Sequence, residues 1–512
     1  MPALRPADVE LAPVPKLLHR HAIAANHSGH SLHVVFSAEC IPAFDWESCG
    51  LFYSFKKIGQ PGKITRLLAC DEHQLKTYSR VNLEMGPTFV HKNMRFDHSF
   101  NAEELNDEFH DQKGNGYASY NKPYSVTAWL QQVDVQETWI LMMDTDMFLR
   151  APVDPVALGV RRGNVVSAEY NYLTGTTTGL ASRFIDPSLH KRMAQVGGFH
   201  IFHREDLRAI SPKWLRYTRK VRVFANNNPD AFFNESFHED ANTDSGARAV
   251  HHKQARWHTE MYGYVFAAAE VGVTHRIRRD VMLYPAYEPY LGRLPSIMHY
   301  GSDYTLGRTY FNKMAHLDLK LETCPGFLFA DPGLPHLDQI SKKDALTLEH
   351  LSYLNEAFCD FYATKANCTT LPPECGMRRV DGRLETLPGG SLTTRWLDAI
   401  QPSLHKCADE HEGCPGWEQQ GECSRNPLFM HSSCPKACGS CNIPIDEVVP
   451  DDSTRGDWKR EDTVRSAEVE QAASFVKQAD AAEIEQLEEW IAARKLALDE
   501  WAAESAQLHS EL

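Results

Sequence analysis

Apolar and polar positions change rhythm sharply along this chain. Leu32–Phe36 is a short unbroken apolar run, LHVVF, which predicts a buried strand. Asp45–Lys57 follows with apolar Trp46, Leu51, Phe52 and Phe55 at helical spacing, and the Gly59–Gly62 segment breaks it. Ile64–Ala69 predicts a second strand, so the first forty residues of pattern already read β-α-β. Further on, helices are predicted over Lys122–Gln132, Glu205–Arg222, Glu260–Val271 and Lys342–Tyr362. Strands are predicted at Trp139–Met143, Asn164–Tyr170, Gly197–Phe202 and Ile297–Tyr300. The polar stretches His91–Gly116 and Asn226–Gly246 read as loops, and Leu371–Gly390 as a Pro/Gly-rich linker. The alternation predicts an α/β fold, a sheet with helices on its faces.

The pattern divides the chain. Residues 1–30 read as a loose leader, 31–330 as the main body and 331–400 as a helical and linker extension. A cysteine-rich module occupies 407–441, an acidic linker 442–465 and an amphipathic helix 466–509. In that last helix Ile484, Leu487, Ile491, Leu498 and Trp501 form one stripe, interrupted by Arg494. Self-association through this stripe, docking onto the body and a solvent-exposed helix are all open readings.

Charge changes the picture little. The formal net charge is −15, but residues 446–512 alone carry −11. The acidity belongs to the tail, and a globally basic nucleic-acid binder is excluded. No window approaches the length of apolar chain that a membrane helix needs, and the N-terminus shows no secretory signal.

Cysteine changes it more. Six of the 13 cysteines lie between Cys407 and Cys441. A module that short cannot bury enough apolar surface and needs staples. Cys438-Gly-Ser-Cys441 is compatible with a metal site, but no second C-x-x-C or H-x(3–5)-H partner stands at zinc spacing, so disulfides are favoured. Spacing alone leaves 15 connectivities open for six cysteines. Cys324, Cys359, Cys368 and Cys375 could form two further bridges, and Cys40, Cys49 and Cys70 leave at least one thiol free. Sequons at Asn26, Asn234 and Asn367 are weak signals that lean the same way, toward an oxidising compartment.

The most informative stretch is Trp139–Pro152, WILMMDTDMFLRAP. A buried strand delivers Asp144 and Asp146 at its carboxyl end, where open α/β sheets bind ligands. Carboxylates abutting five apolar residues are costly unless paired or bound to a cation. Two of them one residue apart can share a hard divalent cation, which in turn can neutralise a departing diphosphate.

Two resemblances add to these readings. The run from Cys407 to Cys441, with Trp417, Gly421, Asn426, Pro427 and Met430 between its cysteines, resembles a ShK-toxin-type domain. That resemblance implies the pairs Cys407–Cys441, Cys414–Cys434 and Cys423–Cys438. The module lacks the Lys–Tyr pair with which toxins of this type block potassium channels, so an interaction module is the expected role. The body resembles peptidyl serine α-galactosyltransferases, relatives of the hydroxyproline O-arabinosyltransferases. HVVFSAECIPAFDWESCGLFYSFKKIGQPGKITRLLAC, YNKPYSVTAWL, WILMMDTDMFLRAP, EMYGYVFAAAEVGV and MHYG carry it in order. The arabinosyltransferases tend to replace the second acid, so Asp144 with Asp146 favours the galactosyl branch.

This resemblance implies a GT-A-type glycosyltransferase fold, a Rossmann-like mixed sheet with helices on both faces, together with a divalent cation (Mn²⁺, or Mg²⁺) and UDP-galactose as donor. Serine of a hydroxyproline-rich protein is the implied acceptor. Asp144, Asp146 and His299 are then the expected metal ligands. Lys122 and Arg66 are the expected phosphate contacts, and Phe36 and Ser37 line the uridine. Retention of configuration calls for a carboxylate on the β-face or for a front-face reaction, and Glu260 is the acid expected near the anomeric carbon, with Asp146 beside it. Tyr262 and Trp257 could stack on the sugar. Rival readings are an arabinosyltransferase and a catalytically degenerate secreted protein that presents the cysteine module. The family is held in the secretory pathway, so a start upstream of Met1 or a targeting segment missing from this chain is expected.

Overall fold

A computed structural model describes residues 32–95, 116–236, 258–441 and 443. The leader, the acidic linker apart from residue 443, and the helix read over 466–509 lie outside the described residues, as does Trp257.

Seven strands form the main sheet: β1 (Leu32–Glu39), β2 (Lys63–Ala69), β3 (Thr88–His91), β4 (Trp139–Met143), β6 (Asn164–Glu169), β7 (Val196–His203) and β8 (Thr274–Ile277). Their order is β3-β2-β1-β4-β7-β6-β8. The β3–β4 half is parallel, β7 runs antiparallel to both β4 and β6, and β8 is parallel to β6. The sheet is therefore mixed, as the resemblance implies. A smaller sheet sets β10 (Ile297–His299) between β5 (Met147–Leu149), antiparallel, and β9 (Met282–Leu283), parallel.

The apolar run of β4 is buried along its whole length, from Trp139 at 7% to Met143 at 0% exposure. Each such side chain withdrawn from water contributes roughly 1.5–3 kcal/mol. Two clusters flank the sheets. One packs β1, β4 and β7 against α2 (Asn121–Gln132), α3 (Arg204–Asn227) and α4 (Thr259–Val271). The other joins α1 (Pro42–Lys57) and β10 to α5 (Lys342–Thr364) and α6 (Leu392–Leu404). In that cluster Trp46 stacks on Tyr300, and Phe148 on Tyr353.

Several elements differ from the sequence reading. α1 starts at Pro42, which is tolerated in a first turn because its missing N–H would have had no partner. β1 runs on to Glu39, whose buried carboxylate is met by Asn121 and Arg95. The stretch read as polar loop from His91 is preceded by β3, a four-residue strand too short to show periodicity. Within Asn226–Gly246, read as a loop, Pro229–Ser236 is helical. Leu371–Gly390 contains a hairpin, Met377–Val380 with Arg383–Thr386, instead of a plain linker.

The cysteine module has almost no apolar interior: Cys414, Met430 and Cys434. Its bridges are Cys407–Cys441, Cys414–Cys434 and Cys423–Cys438, the same pairs the resemblance implies. Three more bridges, Cys40–Cys70, Cys324–Cys368 and Cys359–Cys375, close the body, and Cys49 is free and buried. The module leans on the body where Arg293 donates to the carbonyls of Ser440 and Cys441.

Candidate active site

β4 ends at Met143, and the turn Asp144-Thr145-Asp146 leads straight into β5. β10 pairs with β5 so that His299 lies opposite Met147, next to Asp146. This register brings one ligand atom each from Asp144, Asp146 and His299 within 4.8 Å of one another. Asp146 and His299 are buried, and Asp144 is half-buried. His299 Nε2 stands 3.3 Å from Asp146 Oδ1. Two carboxylate oxygens and an imidazole nitrogen are a donor set that suits a small divalent cation of borderline character.

Two lysines face the two acids. Lys122, in the first turn of α2, places Nζ 2.6 Å from Asp144 Oδ1 and 4.0 Å from Glu260 Oε2. Lys313, in a short 3₁₀ turn at Lys313–His316, pairs with Asp146. Burial opposes the charge on both lysines, yet the surrounding acids outweigh it and hold both ammonium groups above their ordinary pKa. Burial would likewise raise the Asp146 carboxyl, but Lys313 and His299 outweigh that and hold it well below the usual range. Asp146 is therefore an anion at any ordinary pH.

Glu260 sits in the first turn of α4 and is 4% exposed. Burial, reinforced by the Asp144 charge and offset by Lys122, pushes its carboxyl up to about 7. Its backbone N–H donates to Tyr117 Oη.

Other expected residues lie elsewhere. Arg66 is fully buried within the fold. Its guanidinium donates to Thr88, Tyr78 and the carbonyls of Asn82 and Leu83, with Asp45 at 3.8 Å. Each of its nitrogens is engaged in holding β2 to the chain that follows, so the phosphate role is withdrawn. Phe36 is buried edge-on against Phe52 and lines the core, not a nucleotide. Ser37, next along β1, points to the opposite face and is half-buried. Tyr262 is fully buried, stacks on Phe266 and accepts from the Gly175 N–H, which makes it a core residue.

The sequence reading missed Lys313, Glu47, Tyr170 and Tyr284. Glu47 on α1 accepts a 2.6 Å hydrogen bond from Thr145, between the two aspartates. Burial pushes its carboxyl up to about 7, with Lys313 opposing and Asp146 adding to the rise. The signal in the sequence was the pair of acids in DWES on a helix otherwise turned inward.

Residues 32–277 match the profile of the hydroxyproline O-arabinosyltransferase family N-terminal domain. That span holds Asp144, Asp146, Lys122 and Glu260. Residues 406–441 match the ShK domain-like profile. A peptidyl serine alpha-galactosyltransferase of Chlamydomonas reinhardtii is 32% identical over 84% of this chain. One from Arabidopsis thaliana is 35% identical over 65% of it. The chain spans 58% of the first relative's length and 39% of the second's. Hydroxyproline O-arabinosyltransferase RDN2 of Medicago truncatula is 28% identical over 40% of the chain and 52% of its own. Among solved structures, the galactosyltransferase LgtC aligns over 53% of this chain and 87% of its own, at 12% identity and TM-score 0.28, a likeness too slight to build on. The resemblance read from the sequence to peptidyl serine α-galactosyltransferases with a ShK-type appendage is thus met.

Proposed function

We propose that this protein transfers galactose from UDP-galactose to serine of a hydroxyproline-rich protein, with retention, using a divalent cation. The observation that carries the proposal is the convergence of Asp144, Asp146 and His299 at the carboxyl end of β4. The cation would be Mn²⁺ or Mg²⁺, held by those three side chains, and it would supply neutralisation of the diphosphate as the glycosidic bond weakens. The fit is good, because Asp146 stays ionised and His299 turns Nε2 toward it.

The chain's own groups supply the rest. Lys122 and Lys313 carry positive charge on either side of the two acids, in position to take up phosphate oxygens. Glu260, shielded from water and near Lys122, is the carboxylate we assign to the β-face of the sugar. A cation held at Asp144 would offset that neighbouring negative charge and favour the ionised form of Glu260. The closely similar peptidyl serine relatives support serine as the acceptor, and six disulfides among the described residues support the lumen of the secretory pathway. Among the described residues no helix is long and apolar enough to cross a membrane.

The match at 32–277 to an arabinosyltransferase family favours a second reading, arabinose onto hydroxyproline. A screen of UDP-sugars with a Ser-Hyp peptide, with Mn²⁺ and with EDTA, separates the two. Turnover confined to UDP-galactose and abolished by EDTA is expected. Turnover confined to UDP-arabinose would replace the galactosyl reading, and none with any donor would favour a degenerate binding protein.

A further inference from the structure

His299 is gripped on two sides. Its Nε2 faces Asp146, while Nδ1 lies 3.3 Å from the hydroxyl of Tyr170. Tyr284 lays its ring against the imidazole, centroids 4.6 Å apart, and donates its own hydroxyl to Tyr170 Oη at 3.1 Å. Both tyrosines come from segments that the sheets fix. Tyr170 follows β6, and its N–H bonds to the Gln195 carbonyl. Tyr284 follows β9, which pairs with β10 so that Leu283 lies opposite Met298.

The neighbouring strand makes room for this arrangement. A side chain at Gly197 would begin 2.0 Å from the Tyr170 ring, and one at Gly198 would begin 2.9 Å from the Tyr170 hydroxyl. Gly198 also has φ +69, a conformation other residues rarely adopt. On the open side, a side chain at Gly301 would start 2.8 Å from His299 Nε2 and 3.2 Å from Asp146 Oδ2. The gap between imidazole and carboxylate is therefore kept clear by glycine.

An imidazole that binds a cation through Nε2 must carry its proton on Nδ1, and that N–H needs an acceptor. We infer that Tyr170 is the positioning residue that accepts this proton's hydrogen bond and so fixes the His299 tautomer, and that Tyr284 fixes Tyr170 and the ring plane. The inference rests on the cation reading above. Without a cation, Nε2–H donates to Asp146 and Tyr170 donates to Nδ1. With one, the proton resides on Nδ1 and Tyr170 accepts.

The test titrates Mn²⁺ into the full chain, following free Mn²⁺ by its paramagnetic resonance. Tyr170→Phe should weaken binding by about ten- to a hundredfold, with Tyr284→Phe weaker in effect. In parallel, ¹⁵N-histidine spectra of the wild type with diamagnetic Mg²⁺ should show His299 protonated at Nδ1, a signature that packing alone does not set. Wild-type affinity in Tyr170→Phe overturns the inference. So does an Nε2–H tautomer in the Mg²⁺-loaded wild type, a result that holds even if the variant fails to fold. If Asp144→Asn with Asp146→Asn binds Mn²⁺ as the wild type does, the cation reading itself falls.

Discussion

Beneath Asp144 lie five consecutive β4 side chains at 7% exposure or less, part of a core reaching from β1 to α4. The module at 407–441 has Cys414, Met430 and Cys434 for an interior and three disulfides around them. Water exclusion orders the body, and cross-links order the module. The difference bears on function. A body held by a large apolar core can keep four carboxylates (Glu47, Asp144, Asp146, Glu260) and two lysines at close quarters, because the surrounding packing bears their desolvation. A module without a core has no such capacity, but it can expose Leu428 and Phe429 at 47% and 39% without losing its shape. The proposed chemistry rests on the first region.

The comparison breaks most visibly if charge at the site is neutral to function. Asp144→Asn with Asp146→Asn should lower transfer on the order of a thousandfold while the far-ultraviolet circular dichroism stays unchanged. Next in size is the core. Leu141→Ala in β4 should cost roughly 2–5 kcal/mol by denaturant titration, because the buried site cannot collapse onto the lost volume. For the module, Cys407→Ser with Cys441→Ser should cost roughly 2–5 kcal/mol locally. It should open 407–441 to protease while donor hydrolysis by the body persists. Loss of both together would mean that the module is part of the catalytic unit.

The smallest effect is a pH slope. Burial pushes the Asp45 carboxyl from an ordinary 3.8 up to about 7, with Tyr78 and Arg66 opposing. Between those values the folded state holds a proton that the unfolded state has released. Stability should therefore fall as pH rises through that window, and Asp45→Asn should flatten the slope in thermal melts.

How much of this was legible in the sequence differed in the same two regions. The module's identity and bridges followed from cysteine spacing joined to a resemblance, since little else in it can vary. In the body, β4 and its two acids were legible because apolar run and charge meet at one bond. Arg66 misled because a charged residue in a strand reads as exposed, whereas here five oxygen-bearing partners take it into the interior. Lys313 carried no local signal, and Glu47 only its place in DWES. Their partners are 167 and 98 residues away, and only the packing of β5 against β10 and α1 assembles them. Tyr170 read as the last residue of a strand, and its part at His299 depends on glycines 27 and 28 positions later.

The claim that Asp144, Asp146 and His299 hold one cation is tested most directly by diffraction from crystals grown with Mn²⁺ and UDP, recorded at the manganese absorption edge. The account predicts a single strong anomalous peak bonded to all three side chains, with both lysines turned toward the diphosphate. An empty triangle, with Lys122 and Lys313 still seated on the two aspartates while manganese binds elsewhere or not at all, would contradict it.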